Sequence, residues 1–505
     1  MEHTVKKDVR PPYGVIAVLM VGAFIAFLNN TLLNIALPSI MADLKIGPST
    51  VQWLTTGFML VNGILIPTTA FLIQKYSVRN LFLAAMCLFT IGTVLAGSAD
   101  VFSVLLSGRM LQASGSAILM PVLMNVMLVS FPIEKRGVAM GFFGLILMFA
   151  PAIGPTLSGW IIEHYDWRML FHFVTPIAII ILLVGFFKLK DIKEKQDLRL
   201  DLVSLLMSSV AFGGILYGFS SAGSKGWDSF EVYGTIILGV VFLVLFIIRQ
   251  INQPLPMLNF KVYKYPMFAL SSAISMSVNM AMFSGMLLLP IYTQNLRGIS
   301  PMDAGLLMLP GAILMAVMSP VTGKLFDKIG GRVLAVLGLA IIVVTTYEFS
   351  QLTLETSYMH LIMIYSVRSL GMSMVMMPVS TNGLNQLPTK LYPHGTAMNN
   401  TMNQVSGAIG TALLVSIMTN RTETHIGEMT KSAMESAAGS QPTAAAMAEM
   451  KQQIIMKATL EGINEAFFVA TGIAVVAFVL AFFIKRANQA EEPIAVKTVH
   501  SGTGE

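Results

Sequence analysis

Two arginines, Arg109 and Arg368, fall inside long apolar runs of this 505-residue chain. A guanidinium near the middle of a bilayer costs on the order of 3 kcal/mol, so each should face a polar interior and have a partner or a task. A lone carboxylate, Asp327, stands among Lys324, Lys328 and Arg332, next to the start of a helix whose free N–H groups attract negative charge. Such a cluster can clasp two helix ends, although ordinary solvated loop charge accounts for its lysines. Amides gather at two places: Asn29, Asn30 and Asn34, and Asn399, Asn400, Asn403 and Gln404. Asn30/Asn34, Asn399/Asn403 and Asn400/Gln404 are each one helical turn apart. They either bond helix to helix or line a polar cavity. The seven histidines form no HxxxH or HExxH pair, and neither a P-loop nor a nucleophile motif is present, which argues against an enzyme and against ATP drive. The single cysteine, Cys87, permits neither an intrachain disulfide nor a thiolate metal cluster. No cofactor or metal is expected.

The elements that must carry these residues are membrane helices. The chain is 55% hydrophobic and 11% charged, against about 25% charge in soluble proteins. Fourteen apolar spans are expected, at 14–38, 51–74, 80–98, 101–124, 137–162, 168–189, 202–222, 231–250, 266–293, 303–322, 333–351, 359–384, 395–419 and 463–484, each long enough for the hydrocarbon layer. The first is too long for a signal peptide and lacks a cleavage site. With both termini in the cytoplasm, the inner loops collect most of the 32 Lys and Arg; a miscount by one span would destroy that asymmetry. The net charge of +6 is therefore a matter of topology, and no nucleic acid is expected.

The chain also repeats itself. Pro67, Lys75 and Arg79 match Pro320, Lys328 and Arg332 at a constant offset of 253 residues, and Arg109 matches Arg368 at an offset of 259. Parallel halves of six helices explain both echoes. The expected division is 1–190 for the first bundle, 191–265 for an inserted helix pair, 266–485 for the second bundle with an outer loop at 420–460, and 486–505 for a polar tail. The outer loop reads as two amphipathic helices with a turn, or as a solvated linker.

Several local patterns carry a resemblance: Leu28 to Pro38, Trp53, Arg109 to Gly115, Gly154 to Gly159, Asp166-Trp167-Arg168, and Gly323 to Arg332. In this order the chain resembles the major facilitator superfamily, in its fourteen-helix drug:proton antiporter branch, and within it the lincomycin-resistance-type exporters of Gram-positive bacteria. The resemblance implies an all-α membrane fold of 6 + 2 + 6 helices in the bacterial plasma membrane. It implies export of amphipathic drugs, such as lincosamide-like antibiotics and dyes, in exchange for protons, by a monomer. A specific metabolite permease of the same fold is the alternative. Under the antiporter resemblance, Arg109 serves proton transfer or organises the cavity, Arg368 does likewise or pairs with backbone carbonyls, and Gly323, Asp327 and Arg332 form an inner gate. Gly154, Pro155 and Gly159 act as hinge and seal or simply pack. The gate of the first half departs from the family pattern, with Ala70, Gln74 and Ser77 in place of glycine, aspartate and glycine.

The cavity should be walled by spans 1, 2, 4 and 5 and by 9, 10, 12 and 13. Besides the amides already named, Trp53, Phe58, Met120, Met124, Met276, Asn279, Tyr292 and Met376 are its expected lining, methionine suiting adaptable surfaces. Many fourteen-helix relatives carry an aspartate where this chain has Asn29. The middles of the spans are almost free of carboxylates; Glu348 is the nearest, either a coupling group or a side chain reaching the outer interface. A neutral or weakly basic substrate fits this better than a dication.

Overall fold

A computed structural model describes residues 12–46, 48–51, 53–190, 201–436 and 444–486. The side chains of Asn34 and Pro155, the tail 487–505 and the stretch 437–443 lie outside the described residues. The described chain is helical, as lipid demands of a backbone whose N–H and C=O groups find no water. The first half holds α1 (Tyr13–Leu44), α2 (Trp53–Lys75), α3 (Val78–Gly97), α4 (Phe102–Ser130), α5 (Arg136–His164) and α6 (Met169–Lys188). Next come α7 (Leu202–Lys225) and α8 (Phe230–Asn252). The second half holds α9 (Pro266–Leu296), α10 (Pro301–Ile329), α11 (Gly331–Phe349), α12 (Tyr358–Asn385), α13 (Tyr392–Ser436) and α14 (Ala444–Ala481). Among the described residues, thirteen stretches are long and apolar enough to cross a membrane. The further helix α5 is 29 residues long.

Helix ends follow local chemistry. Ser77, Asp201, Ser300 and Ser357 cap α3, α7, α10 and α12 by accepting from first-turn N–H groups, which otherwise have no partner. Gly330, at φ 82°, closes α10, a left-handed position that glycine adopts without strain.

The two halves pack by one scheme. In the first, α1 contacts α4, α5 and α6, α3 contacts α4 and α6, and α2 contacts α4. In the second, α9 contacts α12, α13 and α14, α11 contacts α12 and α14, and α10 contacts α12. Each half also holds a close backbone approach between glycines: a Cβ on Gly92 of α3 would sit 2.5 Å from the Gly108 oxygen of α4, and one on Gly338 of α11 would sit 2.7 Å from the Gly371 oxygen of α12. Small residues let backbones meet where no hydrophobic force separates helix from lipid. The halves meet along two seams, α5 on α10 and α13 on the C-terminal end of α2.

The inserted pair is pinned at one end by Asp201, which accepts from Ser204, Gln253 and Arg249. Burial opposes ionisation there, but hydrogen bonds from Ser204, Gln253 and Arg249 hold the carboxyl well below its ordinary range. The helix α7 then lies against both halves: Thr56 of α2 bonds Ser220 at 3.2 Å, and Trp227, just beyond α7, donates to Ser416 of α13. The helices α13 and α14 are long; at 1.5 Å per residue α13 spans roughly 68 Å. They are joined by His425 and Arg421 of α13 with Glu465 of α14. The 420–460 region is thus helical continuation of both rods, with the turn outside the described residues.

Candidate functional site

Between the halves lies a cavity of about 50 Å³. Met124 of α4 and Phe143 of α5 form its first-half wall, and α9, α12 and α13 form the other. No charged side chain lines it. Pockets for drug-sized ligands measure about 300–1,000 Å³, so this cavity is too small for such a ligand as it stands. Of the expected lining, Met124, Asn279, Met376, Asn399, Asn400 and Asn403 meet here, joined by Phe143, Ser275, Val278, Val375, Met377 and Ser380, which the sequence reading missed.

The amides form cross-helix pairs. Asn279 of α9 donates to Asn403 of α13 at 2.9 Å, and Asn399 of α13 donates to Ser380 of α12 at 3.1 Å. Asn400 donates to the Thr396 carbonyl and approaches the Met124 sulfur at 3.7 Å, reaching across to the first half. Helix-to-helix bonding and cavity lining are therefore both realised by the same residues.

The buried arginines differ in their company. Arg109 is 1% exposed and donates to Gln112 at 2.8 Å and to Asn30 of α1 at 3.0 Å, while Gln112 donates to Thr93 of α3. Its guanidinium lies 4.4 Å from the Phe58 ring centre, a cation–π geometry. Phe58 thus supports Arg109 instead of lining the cavity. Arg109 Nε and the amide nitrogen of neighbouring Asn29 are buried without a partner among the described residues. Arg368 donates to the Ala281 carbonyl at 2.7 Å and to Ser284 at 3.3 Å, both on α9, within 6.0 Å of Phe349. It is held by backbone, as one of the two readings expected.

Asp327 does not cap its own neighbour α11. Its two oxygens accept from the Gly137 and Val138 N–H groups, at 2.8 and 3.1 Å, at the start of α5. The carboxylate therefore bridges the halves, using the unpaired donors and positive end of a helix. Gly323 makes this possible, since a Cβ there would collide with the Gly137 carbonyl. Among the described residues Arg332 has no ion pair with Asp327; Arg486 donates to the Asp327 backbone oxygen instead. Along the same seam a Cβ on Gly141 would sit 2.6 Å from the Ser319 oxygen. Arg136, also unforeseen, reaches Asn385 and Tyr392 of the second half at 3.1 and 2.7 Å. At the other seam, Gln74, the counterpart of Asp327, meets His394 near the start of α13 at 3.2 Å, and His394 accepts from the Asn259 N–H.

The other candidates lie elsewhere. Gly154 and Ser158 fasten α5 to α1: a Cβ on Gly154 would collide with Thr31, and Ser158 donates to the Leu32 carbonyl at 2.7 Å. A Cβ on Gly159 would meet nothing within 4 Å. Trp53 is 38% exposed and lies against Tyr217 of α7, their rings tilted by 32° with centres 5.8 Å apart. Tyr292 is buried at the outer end of α9, donating to the Thr353 carbonyl. Glu348 is exposed one residue before the end of α11. Met120, Met276 and Gln404 are partly buried off the cavity wall.

Comparison with known proteins agrees with this architecture. The Major Facilitator Superfamily model matches residues 19–411. The chain is 51% identical to the uncharacterized MFS-type transporter YhcA of Bacillus subtilis (strain 168), over 84% of this chain and 80% of that one. It is 41% identical to the lincomycin resistance protein LmrB of the same organism, over 93% of this chain and 95% of that one. Among solved structures it shares its fold with the human organic anion transporter MFSD10, with a TM-score of 0.64 at 13% identity, covering 94% of this chain and 100% of that one. It is a multi-pass plasma-membrane transporter, not an enzyme, and the chain belongs to the Major Facilitator Superfamily.

Proposed function

We propose that this protein is a proton-driven exporter of amphipathic small molecules, antibiotics of the lincosamide kind among them, working as a monomer by alternating access. Its fourteen crossings divide as 6 + 2 + 6, with both termini in the cytoplasm and the inserted pair 191–265 between bundles 1–190 and 266–485. The carrying observation is the uncharged cavity enclosed between two alike bundles, with Asp327 bolting them at the inner face. Rocking about that centre opens it to one side at a time. Relatives named as lincomycin resistance proteins over most of the chain support the substrate class. Arg109, with its amide network, is the group assigned to proton coupling.

Inside-out vesicles with an acidic lumen test this. Lincomycin should accumulate in the lumen and protons should leave it, both stopping when the gradient is collapsed. Lincomycin flux indifferent to the gradient, or movement only in the inward direction of the cell, overturns the reading.

A further inference from the structure

One side chain touches both seams. Arg136 opens α5, beside the Gly137 and Val138 N–H groups that hold Asp327. Its Nη1 donates to Asn385 Oδ1, at the end of α12, and to the hydroxyl of Tyr392, the first residue of α13, at 3.1 and 2.7 Å. The guanidinium also lies 4.9 Å from the centre of the Tyr392 ring, and Nε donates to the Phe131 carbonyl of its own half at 3.1 Å. Arg136, Asn385 and Tyr392 are all buried, and among the described residues this cation meets only neutral acceptors. Tyr392 in turn stands two residues before His394, which Gln74 meets across the α2–α13 seam. One path of contacts therefore crosses between the halves repeatedly: Asp327 to the start of α5, Arg136 to the start of α13, and His394 to the end of α2.

We infer that Arg136 is the positioning residue that makes the two seams part and close as one, an assignment that rests on the alternating-access reading. Membership of one half does not by itself couple α5 to α2. The hydrogen bonds of the first turn of α5 run to α10, α12, α13 and Phe131, not to α2. A buried cation whose acceptors are taken away is costly, so Arg136 cannot stay in place while α12 and α13 withdraw. Nor can α5 leave α10 without drawing the guanidinium away from Asn385 and Tyr392. Once it leaves, that amide and that hydroxyl lose a charged partner. The first turn of α13, which carries Tyr392 and His394 together, is then released, and the contact with Gln74 goes with it. Seated and withdrawn are two discrete arrangements, which is what coupling between distant contacts requires.

Spin labels test this on the full chain in nanodiscs with no pH gradient, on a Cys87→Ser background. One pair, at Lys135 and Lys328, flanks the α5–α10 seam; a second, at Tyr76 and Lys390, flanks the α2–α13 seam. Gly323→Ala wedges the first seam apart, because a Cβ there meets the Gly137 carbonyl. With Arg136 present, both pairs should report the same open fraction. In Gly323→Ala/Arg136→Met the first pair should stay open, while the open fraction at the second should be at least about fivefold smaller, the scale of a coupling between sites. Tyr392→Phe in place of Arg136→Met keeps the ring and removes the hydroxyl. It should lower the second open fraction relative to the first, and it serves if the arginine variant does not fold. A residue that merely supported the fold would loosen both seams alike. Equal open fractions in the folded variants, or a Tyr76–Lys390 distance unmoved by Gly323→Ala with Arg136 present, overturn the inference. Because distances are read without substrate or gradient, coupled seams alongside absent vesicle transport fault the export reading alone. Gradient-driven lincomycin transport alongside independent seams faults the coupling alone.

Discussion

The two inner seams occupy equivalent places in the repeat and are closed by different chemistry. At one, a carboxylate accepts two backbone N–H groups at a helix start; at the other, an amide meets an imidazole. Charge-assisted hydrogen bonds are roughly twice as strong as neutral ones, and a helix N-terminus adds its own attraction. The α5–α10 seam is thus the bolt and the α2–α13 seam the weaker catch. The same scaffold occurs twice, and only one copy carries the charge, Asp327 against Gln74.

The steepest test removes the close approach on which the bolt depends. In Gly323→Ala the new methyl meets backbone atoms of Gly137, which cannot step aside as a flexible side chain would. Spin labels at Lys135 and Lys328, on a Cys87→Ser background, should report a separated inner seam, and vesicle transport should fall at least 100-fold. An unchanged distance distribution would mean that the seam tolerates a methyl and is not tightly closed.

The buried arginines extend the contrast. Arg109 is wired to side chains of α1 and α4 that can rearrange, whereas Arg368 rests on the Ala281 carbonyl and Ser284 of α9. Arg109→Met should therefore cut proton-coupled transport at least tenfold, leaving Asn30 and Gln112 without their partner. Arg368→Met replaces a buried charge by a side chain of similar volume, a change often neutral for stability. Transport should stay within about twofold, measured in the same vesicles. Equal losses in both would erase the distinction between the halves.

Next in size is Asp327→Asn. It keeps one acceptor but loses the charge, a change on the order of 1–2 kcal/mol from the difference between charged and neutral hydrogen bonds. The inner-closed population should fall about tenfold relative to the inner-open one, read with the same spin labels. If the ratio does not move, Asp327 is a bystander and the glycines alone hold the seam.

Helix positions were legible because lipid permits little else than continuous helix, and the repeat was legible because Lys75/Lys328 and Arg79/Arg332 keep one offset. Facing was less so. Spans apolar on all sides give no stripe to orient them, so Trp53 and Tyr292 read as cavity aromatics, although one meets Tyr217 of the inserted pair and the other meets Thr353 at the outer end. Partners distant in sequence were also hidden. The basic residues nearest to Asp327 in sequence are on its own segment, but the turn of α10 carries the carboxylate across to Gly137, 190 residues earlier. The glycines 137, 141 and 144 at the start of α5 were the available signal for that seam, as close small residues are for any backbone approach.

The gentlest test falls on the catch. In Gln74→Ala the 3.2 Å contact with His394 is lost, while His394 Nδ1 keeps the Asn259 N–H. A neutral polar contact contributes at most about 1 kcal/mol, so the ratio of closed to open seam should change no more than about fivefold. Labels at Tyr76 and Lys390 flank this seam, and the pair at Lys135 and Lys328 flanks the other. Rocking as rigid bundles requires both pairs to report the same change, since one equilibrium governs both seams. If only the Tyr76–Lys390 distance broadens, the α2–α13 side opens on its own, and the two seams are separate gates instead of two edges of one door.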